Sequence, residues 1–325
     1  MQIEDAQMPR CSAVDESTVA RISSIRLGLP HLGLHGLSEN WVLRECGDKH
    51  WSAIATALER PPESTFDRNG NRLYASIFGL TIRGPIQNFG EGDEVEISLN
   101  DSGFVSASRY YSSQIVKNQT GTNAVRVDLL SVFVRRKKCG DNQSLFPSCP
   151  SQFPQSRKNT YRANSDVGDI DLSLRTAQNG FADGNNGSAH FEYVYSPSPI
   201  ADFNAAALFY FAEYPSLIDR AEWLLYRDLS LLRPKTLERQ IAYFGSPNLG
   251  DDLRVELFPV QSPPGELRHI VRVSEASSHR LLARAYTTKL IVDQAEKLSF
   301  GGTELGGSGL VTAISPTDAK SQFAE

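Results

Sequence analysis

The segment Arg72-Leu73-Tyr74-Ala75-Ser76 alternates side chains able to do chemistry with side chains that cannot. In an extended strand Arg72, Tyr74 and Ser76 share one face, because successive side chains point to opposite sides. A tyrosine with a pKa of about 10 is only about 0.1% ionised at neutral pH, so Tyr74 is a weak nucleophile unless it is activated. Arg72 could stabilise a phenolate or a substrate carboxylate, and Ser76 could donate a hydrogen bond. The competing explanation is structural: a tyrosine packed into a sheet beside a solvated arginine.

Other reactive types are less suggestive. The four cysteines, Cys11, Cys46, Cys139 and Cys149, form no CxxC pair and no zinc spacing, so they read as reduced thiols. His31 and His35 lie in a Gly- and Pro-rich stretch without a third ligand nearby, so no metal site is expected. The run Arg135-Arg136-Lys137-Lys138 could meet phosphates or an acidic protein surface, or protect a strand edge. His50-Trp51 sits inside a helical pattern, where a core role is expected over acid–base work.

Composition narrows the field. The chain has 325 residues, 40% hydrophobic and 22% charged, as expected of a well-packed globular protein. Its formal charge of −5 argues against a nucleic-acid partner, which calls for a basic footprint. No stretch approaches the roughly 20 apolar residues that span a bilayer, and the N-terminal residues lack a basic-then-apolar signal pattern. No membrane association and a cytoplasmic location are therefore expected.

The elements that would position these residues occur twice. Residues 21–138 and 168–298 read as structured blocks, separated by a Ser-, Asn- and Pro-rich linker at 139–167 and followed by a Gly-rich tail at 299–325. In the first block a helix is predicted over 37–58, with Ser38 as N-cap and Leu37 and Val42 as a hydrophobic staple. In the second it is predicted over 205–226, with Asn204 as N-cap and Phe203 and Leu208 as the staple. Pro215 should kink or divide that helix, and Gly47-Asp48 should interrupt the first. Alternating strands follow the Gly-Asp pairs at Gly92 and Gly250. A long helix and then an antiparallel meander, repeated, is α+β architecture with the layout of a tandem double hot-dog fold. Proteins of that fold commonly handle acyl thioesters, although fold fixes no reaction. The duplication supplies an internal pseudo-dimer and leaves a further homodimer open.

Several words of the sequence carry a more specific likeness. They are Leu34-His35-Gly36-Leu37-Ser38-Glu39-Asn40-Trp41, Gly47-Asp48-Lys49-His50-Trp51, Arg72-Leu73-Tyr74-Ala75-Ser76, Asp202-Phe203-Asn204 and Leu208-Phe209-Tyr210-Phe211-Ala212-Glu213-Tyr214-Pro215. In combination, across roughly residues 27–295, the chain resembles the LnmK-like family of bifunctional acyltransferase/decarboxylases of polyketide biosynthesis. The resemblance implies that methylmalonyl-CoA loses CO₂ and that a propionyl group passes to the phosphopantetheine thiol of an acyl carrier protein. It implies an active-site tyrosine at Tyr74 and no cofactor beyond the coenzyme A thioester substrate.

Decarboxylation of a malonyl thioester leaves an enolate, whose oxygen needs donors. The helix N-termini predicted at Ser38 and Asn204 offer free N–H groups, and Gly33 and Gly36 would let a substrate approach closely. Plain capping is the alternative for Ser38 and Asn204. A thioesterase or dehydratase would instead need a carboxylate or a His–acid pair, for which Glu39, His50 and Glu213 are the candidates. A catalytically silent acyl-thioester binding module is the third reading.

Overall fold

The computed structural model describes residues 24–151, 189–226, 234–260 and 262–291. Helix α1 spans Glu39–Leu58, and the Ser38 hydroxyl accepts the Trp41 N–H at 3.3 Å, the capping bond expected. Val42, Leu43, Cys46, His50, Ile54, Ala57 and Leu58 are buried along one face of it. Gly47 does not interrupt the helix. A Cβ there would stand 3.0 Å from the Phe211 ring, so the glycine makes room for that side chain.

The second helix departs from expectation. Helix α2 spans Glu213–Tyr226 and begins eight residues after Ala205. Asn204 caps no helix: its Oδ1 accepts from the N–H groups of Ala206 (2.9 Å) and Leu208 (3.1 Å), closing a turn instead. Ala207 adopts a left-handed φ of 52°, and Phe203 bridges Phe209 rather than pairing with Leu208 as a staple. Pro215 then falls in the first turn of α2, where its missing donor costs nothing.

The strands form one antiparallel sheet. The first half supplies β1 (Ile25–Arg26), β4 (Tyr74–Arg83), β5 (Glu94–Ser106), β6 (Arg109–Asn118) and β7 (Ala124–Arg136), in the order β1-β5-β6-β7-β4. The second supplies β9 (Phe191–Tyr195), β10 (Lys235–Tyr243), β11 (Leu253–Val260), β12 (Glu266–Glu275) and β13 (Leu281–Leu290), in the mirrored order β10-β13-β12-β11-β9. A short hairpin, β2 (Leu32–Gly33) with β3 (Gly36–Leu37), leads into α1. Both halves follow one plan, with the helix between the first and second strands. Glycine enters where a turn requires it: Gly92 (φ 88°) and Gly250 (φ 92°) open matching strands whose Val95 and Ile97, and Leu253, Val255 and Leu257, are buried.

The halves meet where β4 pairs with β10. Thr81 lies opposite Gln240, with Leu80 opposite Ile241 and Ile82 opposite Arg239. Register breaks fall between Ile77 and Gly79 on β4 and between Thr236 and Glu238 on β10. Each pair of equivalents lies 159 residues apart (236 − 77, 240 − 81), which places a pseudo-two-fold axis at Thr81 and Gln240. Apolar side chains of α1, α2 and both sets of strands form one continuous core.

Part of the stretch that composition assigns to the linker is built into the sheet. Strand β8 (Leu145–Pro147) pairs with the end of β7, and Asn142 is buried, donating to the carbonyls of Pro247 (2.6 Å) and Ala207 (2.8 Å). Residues 152–188 and the tail from 292 lie outside the described residues.

Candidate functional site

A cleft of about 200 Å³ opens where the loop before α2 faces the start of β4. Its floor comes from Ala75–Phe78 of β4 and from Val132 and Val134 of β7. One wall is the loop carrying Asn204 and Leu208–Phe211, with Tyr214 behind it; the other is Tyr243–Ser246, at the end of β10. Hydrogen bonds fix these walls. Trp51 Nε1 donates to the Ala75 carbonyl (3.0 Å), the Tyr243 hydroxyl donates to the Phe211 carbonyl (3.0 Å), and the Phe209 N–H donates to Ser246 Oγ (2.9 Å). Among the described lining residues there is no carboxylate and no imidazole. The cleft is an aromatic slot with a few hydroxyls.

Tyr74 stands at the edge of this slot, half-buried, one residue from the lining stretch of β4. The guanidinium of Arg72 lies 5.3 Å from its ring centre, and that of Arg136 lies 5.7 Å away. Arg136 also donates to the Ala206 carbonyl (2.5 Å) and to Asn142 Oδ1 (2.9 Å), so it ties the loop before α2 to β7. Ser76 and Asn204 line the slot, while Arg72 is exposed beside it. The remaining basic run is spread along the rim: Arg135 pairs with Asp67 (3.1 Å), and Arg135 and Lys137 lie over the Phe146 ring.

Ser38 and Gly36 are placed elsewhere. Gly36 has φ 106°, and a Cβ on it would lie 2.2 Å from the Ile86 carbonyl oxygen. It closes the β2–β3 hairpin against the chain after β4 and leaves no approach for a substrate there. Ser38 lines a second cleft, of about 190 Å³, at the start of α1, with Gly33, Asn40, Asp219, Thr236 and Lys289. The two clefts are pseudo-equivalent: each joins the approach to one helix with the second strand of the other half.

Beneath the second cleft runs an ionic chain that is buried except at Asp219, which is partly open to the cleft. Arg239, fully buried, pairs with Asp219 (2.6 Å) and Glu39 (3.0 Å). Lys289 pairs with Asp219 (2.9 Å) and Glu222, and Glu222 with His269 (2.7 Å). Burial pushes the Asp219 and Glu222 carboxyls upward, but Lys289 and Arg239 outweigh it and hold both below the ordinary carboxylate range. At Glu39 burial prevails over Arg239, and its carboxyl titrates higher than usual.

The first half holds a neutral counterpart. His50 is fully buried, with Nδ1 2.7 Å from Ser112 Oγ and Nε2 2.8 Å from Ser131 Oγ. Burial alone lowers its pKa to about 3, so it is an uncharged structural histidine. Glu213 accepts from Asn40 Nδ2 (3.0 Å) and pairs with Arg44. Glu39, His50 and Glu213 are thus all engaged away from the aromatic slot. The tyrosines of the slot, Tyr210, Tyr214 and Tyr243, carry no shared signal in the sequence, because Tyr210 precedes α2, Tyr214 lies in its first turn and Tyr243 ends β10, and they meet only in the fold.

Among the described residues, no group of three His, Cys, Asp or Glu side chains could hold a metal ion, and no helix is long and apolar enough to cross a membrane. Cys46, Cys139 and Cys149 are free thiols.

No family model matches the chain, and no curated protein matches its sequence. Solved structures do. The 12:0-ACP thioesterase from Umbellularia californica superposes with a TM-score of 0.57 at 10% identity, covering 83% of this chain and 93% of that one. A putative oleoyl thioesterase from Lactobacillus plantarum gives 0.54 at 9% identity, covering 83% and 95%. At these identities the likeness establishes the fold, a double hot-dog. It shows the fold and does not extend to the LnmK-like family.

Proposed function

We propose that this protein is an enzyme acting on an acyl group carried as a thioester of coenzyme A or of an acyl carrier protein. The observation that carries the reading is an aromatic slot with Tyr74 beside it, whose ring lies against the guanidinium groups of Arg72 and Arg136. The apolar lining suits an acyl chain. The cations suit a substrate carboxylate, the phosphates of a coenzyme A arm or an acidic carrier surface. No separate cofactor enters this scheme.

Hydrolysis is the reaction that the whole-chain likeness to thioesterases supports. It requires a base for water, and Glu39, His50 and Glu213 are already engaged. Asp219 lines the second cleft beside Glu39 near the start of α1, and its side chain is 45% exposed although it pairs with Arg239 and Lys289. There a thioester carbonyl could face the free N–H groups of the helix. Its depressed pKa makes it a weak base, which counts against this route.

A second reading, decarboxylative acyl transfer from methylmalonyl-CoA, is favoured by the composition of the aromatic slot. Loss of CO₂ needs no base, because the electrons of the breaking C–C bond move into the thioester and generate an enolate. A proton at the α-carbon then gives the propionyl thioester. Its acyl group passes to the carrier thiol as the coenzyme A thiol leaves, directly or through the Tyr74 oxygen. A wall without carboxylates does not repel the anionic substrate.

One experiment separates the readings. The protein is incubated with methylmalonyl-CoA and with a dodecanoyl carrier protein, each with and without free carrier, and products are resolved by intact mass. Free acid marks hydrolysis, and propionyl carrier with CO₂ marks transfer. Binding of thioesters without turnover of either substrate overturns the enzymatic reading in favour of a binding module.

A further inference from the structure

A third cleft, of about 580 Å³, abuts the aromatic slot. One stretch of chain joins them: Leu145–Pro147 line the slot, and Ser148–Ser151 line the cleft. Arg135 stands between the two. It lines the cleft, and its guanidinium lies 4.3 Å from the centre of the Phe146 ring in the wall of the slot. Lys137 lies over the same ring at 5.0 Å. Backbone bonds hold the shared stretch, from the Ser148 N–H to the Phe133 carbonyl (2.8 Å) and from the Ser151 N–H to the Phe66 carbonyl (2.8 Å).

The rest of the lining includes a tight turn, Asp67-Arg68-Asn69. Asp67 Oδ1 accepts the N–H groups of Asn69 and Asn71, both at 2.8 Å, and Oδ2 pairs with Arg135 at 3.1 Å. Its carboxylate is thus engaged within the turn and with Arg135. Arg68, by contrast, is exposed and makes no ion pair among the described residues. Asp67 is also the one carboxylate among the described residues that line either cleft, in a chain whose formal charge is −5. Asn69, Ser148 and Ser151 add polar side chains to the lining, and Ala107 and Pro150 add apolar surface. A guanidinium presents a planar fork of donors that matches phosphate oxygens, and the volume falls in the range of small-molecule sites, about 300–1,000 Å³.

We infer that this cleft receives the phosphorylated nucleotide end of coenzyme A, with Arg68 donating to its phosphates, while the acyl end occupies the aromatic slot. The assignment rests on the acyl-thioester reading and names the carrier of the acyl group: a coenzyme A thioester held at both ends. Pro147 in the slot and Ser148 in the cleft are consecutive, so the gap between them is shorter than an extended pantetheine arm and one molecule spans both. A concave cleft with polar and apolar lining suits a nucleotide, whereas the acidic surface of a carrier protein calls for cations on an open face.

The test is calorimetric titration of wild type and Arg68→Gln with three unreactive probes. They are the hexyl thioether of coenzyme A, the hexyl thioether of pantetheine, which lacks the nucleotide, and adenosine 3′,5′-bisphosphate, the nucleotide end alone. Wild type is expected to bind the coenzyme A thioether about tenfold more tightly than the pantetheine thioether, and the bisphosphate should displace only the former. Arg68→Gln should weaken the coenzyme A thioether and the bisphosphate about three- to tenfold and leave the pantetheine thioether unchanged. Its melting temperature should match that of wild type, since Arg68 holds no ion pair. Equal affinity for the two thioethers, or a coenzyme A thioether unaffected by Arg68→Gln, overturns the assignment and leaves the thioester reading in place. So does binding of an acyl carrier protein by a wild type that takes neither thioether. Failure to bind all three carriers of the acyl group overturns the thioester reading and the assignment with it.

Discussion

Glu222 occupies in the second half of the chain the position that His50 occupies in the first. The sheet register shows it: the row Ser112–Leu129–Leu80 repeats as His269–Thr287–Arg239, and Ser131 opposite Ile77 repeats as Lys289 opposite Thr236. His50 bridges Ser112 and Ser131, while Glu222 bridges His269 and Lys289. Each is followed by a tryptophan, Trp51 or Trp223. One buried node has therefore been filled with neutral hydrogen bonds in one half and with charges in the other. The charged node underlies the polar cleft that Asp219 lines, whereas the cleft on the other side of the pseudo-two-fold is the aromatic slot.

The neutral node sets a pH dependence. His50 has a folded pKa of about 3 against an ordinary 6.5, so between those values the unfolded chain binds the proton that the folded chain refuses. Stability contributed by the neutral imidazole is complete above the unfolded pKa and falls as the pH drops through the window. His50→Gln, which keeps polar contacts and cannot titrate, should show a shallower decline between about pH 6 and pH 4. The difference in slope should approach ~1.4 kcal/mol per pH unit, read from urea unfolding at each pH. Parallel curves for the two proteins would show that His50 is protonated in the fold.

The charged node should be much less tolerant of loss. Lys289→Met takes a cation from Asp219, which keeps Arg239, and from the buried Glu222, which keeps only His269; breaking a buried ion pair from one side costs about 3–5 kcal/mol. At the equivalent position Ser131→Ala removes one hydrogen bond to a neutral ring, worth about 1–2 kcal/mol. Chemical denaturation of the two variants checks the ratio. Equal losses would contradict the assignment of charge to one node only.

How legible these features are in the sequence depends on how local they are. Ser38, Leu37 and Val42 declare the start of α1 because cap and staple lie within one turn, and the alternation of Val95 and Ile97 declares a strand for the same reason. Asn204 carries the same kind of signature and ends in a turn, since its oxygen can accept from a loop N–H as readily as from a helix; the left-handed Ala207 decides the matter. The Tyr74–Ser76 alternation correctly sets both on one strand. The ionic chain of Glu39, Asp219, Arg239 and Lys289 cannot be read from spacing, because the four are spread over 250 residues (289 − 39) and meet only when the halves close on one sheet.

Gly36 illustrates the same limit and gives a clean prediction. A glycine beside a helix N-terminus suggests room for a ligand, yet the space is already filled by Ile86 and Gln87. Gly36→Ala places a Cβ 2.2 Å from a carbonyl oxygen at φ 106°, combining steric overlap with backbone strain. A loss of about 3 kcal/mol in unfolding free energy is expected, with the melting temperature falling before any change in substrate affinity is seen. A variant of normal stability with weakened substrate binding would return Gly36 to the site.

Tyr74 is the residue on which the transfer chemistry is staked. Its ring is half-buried under two guanidinium groups, and among the described residues its hydroxyl holds no hydrogen bond of the kind that fixes Tyr243. Tyr74→Phe keeps the ring and both cation–ring contacts, so its stability should stay within about 0.5 kcal/mol of wild type. If the hydroxyl carries the acyl group or donates to the enolate oxygen, propionyl transfer should fall on the order of 10²-fold or more. A mass gain of the wild-type protein on exposure to methylmalonyl-CoA, absent from the variant, would identify the covalent route; the same loss of rate without an adduct would identify the donor. Arg72→Gln is the companion variant, because Arg72 is exposed whereas Arg136 also holds the loop before α2. It should raise the KM for methylmalonyl-CoA more than that for propionyl-CoA, since the added carboxylate is what the guanidinium would hold. Full transfer activity in a folded Tyr74→Phe protein would remove the tyrosine from the mechanism and leave the transfer to other groups of the slot.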